Sequence, residues 1–189
     1  MLRDFDARHF ALPFDWLITE NHEKFAQIFE DDFQYFLEKS YLFPHPDFHC
    51  IENRYYEIEF RHDSNFLASE SEFNQIQETY QRRIDRLRKI REYPGKVYFL
   101  RVALDWRLGI SYFHKGDTAI TPDHALRLRN ALKSFFPSLD FTLIIVNYIE
   151  DHDVPIQGIP DVVELKFGIK DKAISYSNLF GILGIPGHF

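Results

Sequence analysis

What this sequence is short of narrows its class first. A single cysteine, Cys50, in 189 residues excludes an intramolecular disulfide framework and suits a reducing cytosol. No segment approaches the roughly 20 consecutive apolar residues that a membrane-spanning helix requires. The N-terminal MLRDFDARHF has mixed charge and no apolar signal core. The tail LFGILGIPGHF is apolar but short and broken by three glycines and a proline, so it is expected to dock on the core or wrap a neighbour. Positive charge is in deficit, 22 Lys and Arg against 29 Asp and Glu, which opposes a general nucleic-acid binder. Glycine is scarce, with eight residues, and no P-loop, G-x-G-x-x-G, G-x-S-x-G or H-E-x-x-H occurs. No cofactor or metal is therefore expected. No linker rich in Gly or Ser divides the chain, which reads as one cytoplasmic α/β domain over 1–189.

Aromatics are abundant instead. Twenty Phe and ten Tyr make ring packing the expected substance of the core. Residues 22–39 place Phe25, Phe29, Phe36 and Leu37 at helical spacing behind an Asn21 N-cap. IENRYYEIEF, from residue 51, reads as one strand. Ser69 and Glu72 form a capping box for a helix whose apolar stripe runs Phe73, Ile76, Tyr80, Ile84, Leu87, Ile90. KVYFLRVAL reads as a strand covered on both faces, because its apolar run is nearly continuous. Thr121 and Pro122 open another helix, which Pro137 closes. FTLIIVNYI and DVVELKF are the last strands, while DWRLGISYFHKGDTAI is equally compatible with a strand and a long loop. Alternation of this kind implies α/β architecture, strands and helices around a mostly parallel sheet.

Three segments carry a resemblance: PFDWLIT at residues 13–19, EFRHD at 59–63, and YQRRIDRLRKI followed by KVYFLR. Together they resemble a bacterial family described as papain-like cysteine peptidases. In that family a glycine-containing strand end and a helix-opening cysteine precede PFDW, and that cysteine is the nucleophile. Here only twelve residues precede Pro13, so an N-terminal strand and helix with the cysteine is expected to be missing, and the chain to be catalytically silent. The resemblance makes His62 the base. The orienting acid is Asp63, Asp105 or Asp15. A thiolate needs a helix N-terminus or a nearby imidazolium to form, and without it His62 has nothing to activate. The substrate implied is a protein or peptide. A lost first strand would also leave a sheet edge uncovered, predicting aggregation or a homodimer.

Each of these residues has an ordinary alternative. His62 and Asp63 fit a polar turn, and Asp15 fits a buried acid that ties its loop to backbone amides. His45, Asp47, His49 and Cys50 lie within six residues but match no closed zinc spacing. Cys50 begins a strand rather than a helix, so a small buried thiol is its default role. The acidic EDHD at 150–153 follows a covered strand, where ligand sites gather in parallel sheets. A binding role for a nucleotide or nucleotide-sugar, as in a glycosyltransferase-like fold, is the rival to the hydrolase, and a non-catalytic interaction module the third reading.

The cations between Arg82 and Lys96 read as the solvated face of an amphipathic helix. That reading predicts no retention on heparin at low salt. Retention abolished by charge reversal of Arg82, Arg83 and Arg86 would instead make the strip a ligand surface.

Overall fold

The computed structural model describes residues 11–15, 17–19, 21–46, 49–63, 67–103, 119–148 and 154–168. Its elements run β1 (Leu17–Thr19), α1 (His22–Glu30), β2 (Leu42–Pro44), β3 (Ile51–Asn53), β4 (Ile58–Phe60), α2 (Glu70–Lys89), β5 (Val97–Val102), α3 (Pro122–Phe135), β6 (Phe141–Tyr148) and β7 (Val162–Phe167). They build two sheets. The first, ordered β1-β4-β3-β2, is antiparallel throughout, and the second, ordered β5-β6-β7, is parallel. The architecture is mixed α/β, but the expected mostly parallel sheet is confined to the C-terminal half.

The difference arises at Asn53. The segment expected to be a single strand from Ile51 to Phe60 folds back as a hairpin. The Asn53 side-chain oxygen accepts from the amides of Tyr55 and Tyr56 at 2.9 and 3.0 Å, closing an Asx turn. Glu57 completes the reversal in the left-handed region, at φ 54°. The Asn53 amide nitrogen donates to the carbonyls of Tyr35 and Phe36, at 2.7 and 3.1 Å. All four bonds are made by a side chain with no exposure to solvent.

α1 also ends earlier than its apolar spacing suggests. Asp32 and Phe33 take φ values of 47° and 65°, and the Phe33 amide reaches back to the Ile28 carbonyl at 2.9 Å. The chain turns there, yet Phe33 and Phe36 stay buried, delivered by the turn rather than by a helix face. The N-caps form as read, although Glu72 accepts from the Ser69 hydroxyl rather than completing the reciprocal half of a capping box. Asn21 accepts from Lys24 N, Ser69 from Glu72 N, and Thr121 from His124 N, each worth about 1 kcal/mol.

The parallel sheet has two unlike faces. Phe141, Leu143 and Ile145 of β6, with Val97 and Phe99 of β5 and Val162 of β7, join the main core with α3. Ile144 and Val146, with Val102, Leu165 and Phe167, form a second, smaller cluster. β6 is the doubly covered strand because it is central. β5 alternates instead, leaving Tyr98 and Leu100 exposed, so the expectation of two covered faces fails there.

α1 lies beside α3 and points the same way. His22 meets His124 with ring centroids 5.2 Å apart, Arg127 reaches both Glu23 and Glu30, and Phe29 meets Phe135 at 5.5 Å. No helix among the described residues is long and apolar enough to cross a membrane.

Asn53→Ala strands two buried amides and two carbonyls. It should lower stability by about 3 kcal/mol or more, read as a shifted urea midpoint at constant m value. A loss below about 1 kcal/mol would mean that the hairpin does not depend on this side chain.

Candidate functional site

The residues singled out by the peptidase resemblance do not assemble among the described residues. His62 sits exposed on the turn that follows β4. Asp63 accepts the Tyr80 hydroxyl at 2.8 Å, which ties that turn to α2. Burial and the Asp63 carboxylate push the Tyr80 phenol well above its ordinary range. Asp15 accepts from Leu12 N at 2.9 Å while its own amide reaches Leu12 O, so its carboxylate closes a local turn. That turn places Phe14 against Phe25, Phe29 and Phe33, at centroid distances of 5.0, 5.4 and 5.7 Å. Asp105, Asp47, EDHD at 150–153 and residues 105–118 of the long undecided stretch lie outside the described residues.

Cys50 has different neighbours from those expected. The His45 amide donates to the Cys50 carbonyl at 2.9 Å, continuing the β2–β3 register by one pair. His45 Nε2 stands 3.6 Å from Glu59, which Arg61 also meets at 2.6 Å. Burial pushes the Cys50 thiol up, the Glu59 and Glu52 carboxylates push the same way, and Arg61 opposes them. This is the opposite of an activated thiol. No group of three or more metal-ligating side chains forms among the described residues.

The α2 cations disperse. Arg82 bonds Thr79, Arg83 and Arg91 lie on the rings of Tyr80 and Phe135, Arg86 reaches the Ala11 carbonyl, and Arg88 pairs with Asp32 and Asp85. Arg82 and Arg83 bond within the helix, while Arg86, Arg88 and Arg91 tie neighbouring segments to it, so the cations do not form one strip.

A different constellation does assemble, at the C-terminal end of β5. Arg101 shares the α3-facing side of the sheet with Val97 and Phe99. Of its five N–H groups, one bonds the Thr19 hydroxyl, one the Thr19 carbonyl at 2.7 Å, and one meets His22 Nδ1 at 3.1 Å. All three acceptors are neutral. Nε is shielded from solvent and has no partner among the described residues. Among the described residues no carboxylate pairs with Arg101, whereas Arg54, Arg61, Arg88, Arg127 and Arg129 each have one. Burial accordingly draws its pKa down to about 10, so it keeps its charge at neutral pH. The guanidinium lies 4.4 Å from the centroid of the Phe25 ring.

Around it the elements supply more donors. The parallel packing of α1 and α3 puts two helix N-termini side by side, each with the positive end of its dipole there. Because arginine only donates, His22 Nδ1 must accept, which assigns the ring proton to Nε2. His124 Nδ1 accepts from Thr121 N at 3.3 Å, fixing the same tautomer. Asn147 of β6 holds the approach to α3 in place. Its oxygen accepts from Ile120 N at 2.9 Å, and its nitrogen donates to Ile120 O and Glu164 at 2.8 and 2.9 Å. A corner of donors around a cation that has no carboxylate partner among the described residues is suited to an anion. The sequence carried one signal for it, a single cation inside the otherwise apolar strand VYFLRV.

Cys50 should resist iodoacetamide at pH 7.5 in the folded protein, and His62→Ala should change nothing. Rapid labelling that His62→Ala suppresses would put the imidazole on the thiol and reverse this assignment.

No protein-family profile, curated protein or solved structure matches the chain.

Proposed function

We propose that this chain is a binding domain for a small anion, held at the corner formed by Arg101, Thr19 and the N-termini of α1 and α3. The observation that carries the reading is Arg101 itself. A partly buried guanidinium whose described partners are all neutral is unfavourable in the empty protein, and a bound phosphate or carboxylate would offset its desolvation. The location agrees with where parallel sheets present ligands, beyond the carboxyl ends of their strands. The nucleotide-binding alternative raised by the sequence is one member of this class.

The peptidase activity implied by the resemblance has less support. The chain's cysteine is buried with its thiol pushed up, and Asp63 and Asp15 are engaged by Tyr80 and Leu12. Were the family resemblance to hold, this chain would be a non-cleaving member.

Phosphate or acetate at matched ionic strength should raise the melting temperature above that in chloride, since a ligand that binds only the folded state stabilises it by about 2.7 kcal/mol at one hundred times its Kd. Arg101→Met should remove the anion-specific rise while far-UV circular dichroism stays unchanged. It should leave the anion-free melting temperature equal or higher, because an apolar chain of similar length has no charge to desolvate. Equal melting in all salts would sink the proposal.

A further inference from the structure

Arg101 also lines an apolar pocket, and the two features together define a ligand class. The pocket, about 120 Å³, is walled by Leu12, Phe14, Phe25, Phe29 and Phe99, with Arg101 the one polar residue among its described lining. Six parts of the fold meet in it, with α2, α3 and β6 contributing Leu87, Leu128, Leu132 and Leu143. The Leu12–Asp15 turn supplies Phe14, α1 supplies Phe25 and Phe29, and β5 supplies Phe99 and Arg101. Phe25 belongs to both features, as a wall of the pocket and as the ring beneath the guanidinium.

A void lined by Leu and Phe does not attract water, and one of roughly 150 Å³ is large enough for benzene. Left empty, it forfeits dispersion contacts on every wall. The cation beside it has no carboxylate partner among the described residues. Inorganic phosphate would answer the cation and leave the pocket empty. A neutral hydrocarbon would do the reverse.

We infer that the ligand is a small monocarboxylate with a short apolar body, an aryl carboxylate or an alkanoate of about four to six carbons. Its carboxylate pairs with Arg101, and its apolar part fills the space between Phe14, Phe25, Phe29 and Phe99. The inference rests on the anion site proposed above and narrows its occupant. Thr19 holds two of the guanidinium N–H groups, which fixes the direction from which the head group is met.

The test is a series on the full chain by titration calorimetry and thermal melting at constant ionic strength. The ligands are sodium acetate, butyrate, hexanoate, octanoate, benzoate and phosphate, together with 1-hexanol. Affinity should rise from acetate by about fourfold per added methylene and stop rising once the pocket is full, by octanoate. Benzoate should bind at least as tightly as butyrate, and hexanol at least about tenfold more weakly than hexanoate, since it lacks the charge. Leu128→Phe, which adds bulk to another lining position, should abolish the chain-length dependence. If that variant does not fold, the wild-type series decides alone. A flat series in which acetate, hexanoate and phosphate act alike overturns this inference and leaves the anion site standing. Hexanol binding as tightly as hexanoate overturns it as well, by making the charge irrelevant. No response to any anion overturns both.

Discussion

The packing of α1 along α3, in the same direction, is the constraint on which the rest of this structure depends. It joins the antiparallel half to the parallel half, and it is built from rings and ions together. Phe29 and Phe33 both meet Phe135, with centroids 5.5 and 5.9 Å apart, while Arg127 spans Glu23 and Glu30 across the seam. Each aromatic pair contributes about 0.5–1.5 kcal/mol beyond its buried area, and the exposed ion pairs less than that. The rings therefore hold the seam, and the charges select its register.

Direction matters because helix dipoles side by side in parallel add their ends instead of cancelling them. Each first turn carries one acid, Glu23 in α1 and Asp123 in α3, which moderates that field. Glu23 is already met by Arg127, and Asp123 points to solvent. Arg101 adds its charge where the field is already positive, with Thr19 and His22 as neutral partners. Among the described residues no carboxylate balances this concentration of positive charge, which is what motivates the proposed anion site.

Much of the fold can be read from local sequence, and the exceptions have identifiable physical causes. The caps at Asn21, Ser69 and Thr121 depend on residues within three positions of the helix start, so spacing alone reveals them. The central strand β6 announces itself by a nearly continuous apolar run, and α2 by apolar residues at helical spacing. The hairpin at Asn53 is concealed because β-branched and aromatic residues continue through the turn. Only one side chain's amide group, bonded in part to residues 17 and 18 positions away, reverses the chain. α1 likewise looks longer than it is, since Phe33 and Phe36 keep helical spacing after the helix has stopped. The Arg101 corner draws on residues 19, 22, 101 and 124, a separation that no motif of fixed spacing can encode. Its trace is a cation out of place in a strand, legible only once the strand's buried side is known.

The seam also has a consequence for how the chain is made. α1 leaves the ribosome early, yet the helix that covers it follows about 100 residues later. At synthesis rates of about 5–20 residues per second, Phe29 and Phe33 wait several seconds or more without Phe135 to cover them. The three-residue strands beside them offer little shelter in the meantime. Until α3 is made, those two rings have no covering partner on its side of the seam.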